Sequence, residues 1–169
     1  GYEKGLCGMP VTDAFVTPGG SGLGQHFQGC SLYWSAASGV HEVHGAIKDR
    51  WAAAGWERGL GFPTTDESVT PDGRGRYNHF TGDGGSSIYW TPSTGAQIVQ
   101  GLIRVAWSAA GWERSACGYP VEGEHLDSDG VWRQRFEGGT ISFAGSASLN
   151  CGAPASSPSL SRRDLVFIK

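Results

Sequence analysis

The chain has 169 residues and a formal net charge of −3, a size that fits one domain able to bury most of its apolar surface. Charged residues make up 17%, below the ~25% of an average soluble protein, and the 13 Lys and Arg are scattered, so no basic stripe for nucleic acid is present. The longest apolar run, LVFI at 165–168, is too short to span a bilayer, and no signal peptide is visible, so an exported protein would be present here in its mature form.

Read from the N-terminus, the chain repeats itself. CGMP at 7–10, LGFP at 60–63 and CGYP at 117–120 are each followed by an aromatic strand, a glycine turn and a second aromatic run. The runs are FQGCSLYW (27–34), FTGDGGSSIYW (80–90) and FEGGTISF (136–143). Between copies lie WAAAGWERGLGFP (51–63) and WSAAGWERSACGYP (107–120). A period of about 55 residues marks one supersecondary unit stacked on copies of itself. Glycine, at 28 residues, falls at turns between these strands and signals tight loops.

Within one unit, RYNHF (76–80) and SIYW (87–90) alternate as strands on either side of a Gly-rich turn, which predicts a β-hairpin. TPGG (17–20), TPDG (70–73) and DSDG (127–130) predict β-turns ahead of each hairpin. After Gly95, the spacing of Val99, Leu102, Ile103, Ala106, Trp107 and Ala110 predicts a helix with one apolar face. Val43, Ala46, Ile47, Trp51 and Ala54 repeat it. Ser38 and Thr94 are the expected N-caps, Gly55 and Gly111 the stops, and Gly45 and Gly101 fall inside the helices, where they imply tight packing by another backbone. The predicted fold is α+β: tandem hairpin/helix repeats, about two and a half copies, in one compact domain. Its copies run over approximately 1–54, 55–110 and 111–143. A Ser/Ala/Pro-rich tail at 144–169, tied by Cys151, follows. Its closing RRDLVFIK has the composition of an edge strand.

The four cysteines, Cys7, Cys30, Cys117 and Cys151, form no C-x2-C pair, which favours disulfides in an oxidising compartment over zinc. Cys7 and Cys117 align with Leu60, so that position accepts a core leucine or a covalent tie. Of the three connectivities, pairing within copies, Cys7–Cys30 and Cys117–Cys151, joins neighbouring segments and is preferred.

No catalytic constellation emerges. G-x-S-x-G, H-E-x-x-H and phosphate-loop motifs are absent. His41 and His44, i,i+3 on the predicted helix, align with Gln97 and Gln100, which share their hydrogen bonding but not their acid–base chemistry. Asp66 and Glu67 are the best carboxylate pair for glycoside hydrolysis, yet the copies align them with Asp13 and Ala14 and with Gly123 and Glu124. A turn cap or a pairing with Arg76 is the preferred role. DSDG lacks the rest of a calcium loop. Catalytic residues, metal and cofactor are therefore all expected to be absent.

The GWERGLGFPTTDE stretch, the PDG turn, the GSSIYW strand and the Gly-Ala helix start together resemble the LGFP repeat over about residues 1–143. GYEKG (1–5) looks like the end of a preceding unit. The resemblance implies a secreted actinobacterial module that attaches to the cell envelope through wall polysaccharide. The departures are the cysteines in two motifs, the missing third helix and an insertion at Asp83–Gly85. The candidate ligand residues are Trp56, Glu57, Arg58, Trp112, Glu113, Arg114, Asp66 and Glu67. The tryptophans either cover the neighbouring copy or offer a flat face to a sugar ring, with Glu and Arg bonding its hydroxyls. The expected partner is cell-wall polysaccharide, or alternatively a secreted protein such as an extracellular enzyme under regulation. A wall hydrolase ranks below both, and a monomer is expected.

Overall fold

The computed structural model describes residues 4–152. Each copy forms a four-stranded antiparallel meander. The first sheet holds β1 (Phe15–Val16), β2 (Gly22–His26), β3 (Cys30–Ser35) and β4 (Gly39–His44). The second holds β5 (Ser68–Val69), β6 (Arg76–Phe80), β7 (Ser86–Thr91) and β8 (Gly95–Gln100). The third holds β9 (His125–Leu126), β10 (Trp132–Phe136), β11 (Gly139–Phe143) and β12 (Ala147–Cys151). Helix α1 (Gly45–Ala53) and the short α2 (Glu57–Leu60) join the first sheet to the second, and α3 (Gly101–Ala110) joins the second to the third. The fold is α+β, with strand predominating.

The unit differs from a hairpin plus a helix. The first half of each expected helix is a strand: β8 pairs with β7 from Thr91↔Gly95 to Ser86↔Gln100, and β4 pairs with β3 in the same way. Strand passes into helix with no loop between, and the switch is a glycine at φ +52 (Gly45) or +56 (Gly101). A side chain at either would meet nothing within 4 Å, so the left-handed backbone, not tight packing, demands glycine there. Ser38 and Thr94 are not helix caps; their hydroxyls bond Ser35 and Thr91 across the hairpin turns (2.6 and 2.9 Å). His41 and His44 therefore lie on a strand, three apart and on opposite faces.

The sheets and helices alternate as layers. Ile47 and Trp51 of α1 are buried between Tyr33 and Val43 of the first sheet and Phe80 and Ile88 of the second, with Leu60 and Phe62 of the LGFP segment closing the cluster. Ile103 and Trp107 of α3 repeat this between Tyr89 and Val99 on one side and Phe136 and Ile141 on the other, closed by Cys117 and Tyr119. Both tryptophans are fully buried. A buried amide staples each junction. Asn78 Nδ2 donates to the carbonyls of Glu42 (3.1 Å) and Thr65 (2.8 Å), and Gln134 Nε2 donates to those of Ile98 and Glu122 (both 2.7 Å).

The third copy does not end at Phe143. β12 pairs with β11 along its whole length and completes the third sheet. The disulfides are Cys7–Cys30 and Cys117–Cys151, the latter tying β12 to the loop that opens its own copy. Where β10 and β11 carry Arg133 and Ser142, the second sheet has Tyr77 and Tyr89. Arg133 is held by Asp127 and Asp129, so both acids of the DSDG turn are committed to an ion pair. The remainder of the tail, RRDLVFIK included, lies outside the described residues.

Candidate functional site

The segment after each core helix turns sharply. Trp56 and Trp112 both adopt φ 57°, rare for a non-glycine residue, at equivalent places. Trp56 lies flat on Tyr33 (5.9 Å between centroids, 15°) and edge-on to Trp51. Trp112 does the same on Tyr89 (6.0 Å, 20°) and Trp107, with the Arg104 guanidinium 5.1 Å from its ring. Each indole thus covers the aromatic face of the sheet before it, and that sheet's histidine (His26 or His79) lies beside it. Burial and the Arg104 charge hold His79 at a pKa of about 4, so it is neutral at physiological pH.

The turn at Trp56 leads into α2, which sets Glu57 and Arg58 at the edge of a cleft of about 430 Å³. The motif glycine, Gly61, forms part of the wall. A Cβ there would stand 2.4 Å from the backbone of Gly82, because the chain crosses the Thr81–Gly82 loop in direct contact. Phe62 and Thr81 exchange bonds at this crossing: the Phe62 amide donates to the Thr81 hydroxyl and the Thr81 amide to the Phe62 carbonyl (2.9 Å each). The insertion noted in the sequence, Asp83–Gly85, extends that loop and brings Asp83 to the cleft. Gln100 and Glu124, from the second and third copies, also line it, with Gln100 Nε2 donating to Glu124 Oε1 (2.7 Å). A contiguous hollow of about 280 Å³ shares Gln100 and Glu124 and reaches Arg50. The cleft therefore presents three carboxylates, a guanidinium and an amide, with glycine backbone at several points of its wall.

The other candidates from the sequence lie elsewhere. Trp112, Glu113 and Arg114 line a separate pocket of about 280 Å³ with Tyr77, His79 and Tyr89. Glu113 is only 5% exposed, and burial raises its pKa. Asp66 is exposed and folds back on the first sheet, accepting from the Glu42 amide (3.0 Å) and facing His41 Nδ1 (3.1 Å). The Glu67 side chain is largely buried, its Oε1 3.0 Å from His44 Nε2 and 3.6 Å from Arg76 Nη1. His44 Nδ1 in turn meets Glu42 at 2.9 Å, so the imidazole bridges two carboxylates across the junction. Burial, ahead of the charges around it, raises the Glu67 pKa. The pair Asp66 and Glu67 thus diverges into two structural contacts. Gln100 and Glu124 are the equivalents of His44 and Glu67 at the next junction, which is the signal by which sequence comparison could have found them.

The sequence profile of the LGFP repeat matches residues 8–59 and 60–115. No curated protein sequence matches the chain. The two matched segments each contain one sheet and the helix that follows it, and the third sheet repeats the same strand order beyond them. With two matched copies spanning more than half of the sequence, the chain belongs to the LGFP repeat family.

Proposed function

We propose that this protein is a non-catalytic module of the extracellular envelope that holds cell-wall carbohydrate in the cleft between Glu57–Arg58 and Gln100–Glu124. One observation carries the reading: a concave, polar, glycine-walled hollow between the second sheet, the segment that leads into it and Glu124 of the third copy, furnished with groups that bond hydroxyls. Carboxylates accept from sugar O–H groups, a guanidinium and an amide donate to sugar oxygens, and charge-assisted bonds of this kind are the stronger ones. Two disulfides among the described residues support an oxidising compartment, and no described helix is long and apolar enough to cross a membrane. The insertion that supplies Asp83 belongs to the middle copy, so one such cleft is expected among the described residues.

Cosedimentation with purified cell walls tests this. Wild type should pellet with walls, and Asp83→Asn combined with Glu124→Gln should weaken retention about tenfold or more, as expected for losing charged hydrogen-bond partners. Undiminished retention of the double variant would reject the cleft. A second reading, attachment to a secreted protein, is favoured by the outer face of the first sheet, where Leu23, Trp34 and Val40 are exposed together. Trp34→Arg should leave wall retention intact under the first reading and abolish partner capture under the second.

A further inference from the structure

The pocket at the end of α3 contains a buried polar atom with nothing to satisfy it. Glu113 is 95% buried by its 5% exposure, its Oε1 has no hydrogen-bond partner, and no ion pair reaches it among the described residues. A buried, unpartnered carboxylate oxygen is costly and calls for an explanation. The first copy shows that the fold does not require it. There the equivalent Glu57 is half-exposed and sits on the four-residue α2, whereas Glu113 sits on a 3-10 turn, Trp112–Arg114, followed by a segment one residue longer.

The walls differ between copies in a matching way. Across the first strand pair, copy one places Phe15 opposite Gly24, and copy two places Ser68 opposite Tyr77. In copy one the Phe15 ring lies over the glycine, against His26 and Tyr33. In copy two the ring is on the inner strand instead: Tyr77 stacks on Tyr89 at 5.2 Å and 14°, and the edge strand offers a serine. The result is a pocket of about 280 Å³ lined by Tyr77, His79, Tyr89, Trp112 and Glu113. No cation nearby forms an ion pair with it, and the Arg114 charge offsets the effect of burial only in part. Arg104 is engaged with Ser87 (2.6 Å) and the Trp112 ring, and Arg114 is exposed. His79 bonds Ser87 through Nδ1.

A carboxylate in an aromatic-lined pocket with no ion-pair partner favours an organic cation, which it attracts through charge and charge-assisted hydrogen bonds. We propose that this pocket binds a primary ammonium group, carried by an unacetylated amino sugar or by the side chain of a basic amino acid, with Glu113 as its counter-ion. This site is separate from the polar cleft and stands or falls independently of it. A bound ammonium would offset the desolvation cost that raises the Glu113 pKa.

Titrations followed by NMR at the Trp112 indole N–H test the assignment, with glucosamine and Nα-acetyl-lysine amide as probes and N-acetylglucosamine and glucose as controls. At least one amine should give a saturable shift that neither control gives, and the amine that does so names the source. Glu113→Gln should weaken that binding by roughly tenfold or more, the loss expected when a charged hydrogen bond is removed, with a melting temperature no lower than wild type. The wild-type comparison stands even if that variant is unstable. Equal shifts from N-acetylglucosamine or glucose, no shift from either amine, or undiminished binding by folded Glu113→Gln would overturn the proposal.

Discussion

Gly101→Ala tests how the repeat is built, because two readings of that glycine predict opposite signs. If Gly101 lay in a right-handed helix interior with open space around it, alanine would stabilise the protein by about 1 kcal/mol through helix propensity. In the structure Gly101 has φ +56° and marks the junction of β8 and α3, and an added Cβ meets nothing within 4 Å. Steric clash is therefore negligible and backbone strain decides the outcome. Holding an L-residue in the left-handed region costs about 1–2 kcal/mol. For a chain of this size that lowers the melting temperature by roughly 2–8 °C. Gly45→Ala should behave alike, since its φ is +52° and its surroundings are equally open. Thermal unfolding followed by circular dichroism measures both. A rise in melting temperature at either site would refute the strand–glycine–helix switch, and a loss of more than about 4 kcal/mol would mean close packing had been missed.

Three further outcomes are expected. Trp51→Ala and Trp107→Ala, each emptying a fully buried site, should destabilise by about 3–5 kcal/mol in denaturant titrations. Gln134→Leu removes both bonds of one junction staple and leaves the Ile98 and Glu122 carbonyls unpaired, so urea unfolding should show a loss of about 2 kcal/mol. Glu113→Gln should raise the melting temperature at neutral pH: the folded-state pKa is raised, so the wild-type contribution is fully present below the ordinary carboxylate value of 4.5 and is lost as pH rises through the folded value. The gain from glutamine should therefore vanish below pH 4.5, and a gain that persists there would contradict the burial argument.

The repeat, its turns, the core tryptophans and the within-copy disulfides could all be read from the sequence, because each is encoded by residues close together or by comparison between copies. β4 and β8 could not. GVHEVH and GAQIVQ run into helix without a loop, and Val43 and Val99 fall in phase with Ile47 and Ile103 because strand and helix face the same core. A single helical period therefore fitted both. Only the backbone angle at Gly45 and Gly101 separates the two elements. β12 was obscured for a different reason: ASLNC is exposed along most of its length and lacks the alternation of a half-buried strand. Of the cleft, Glu57 and Arg58 stood out because they recur, whereas Asp83 comes from an insertion and Glu124 from the next copy. Their meeting depends on the Gly61–Gly82 crossing, a contact between residues distant in the chain.

The most direct test of the central claim is a titration of isotope-labelled protein with polysaccharide released from purified cell walls, with chemical shifts mapped onto the chain. Carbohydrate held in the cleft predicts saturable changes at the Gln100 side-chain amide, the Gly82 and Gly101 amides and Arg58. Changes confined to the outer face of the first sheet around Leu23, Trp34 and Val40, or no saturable change at all, would contradict it.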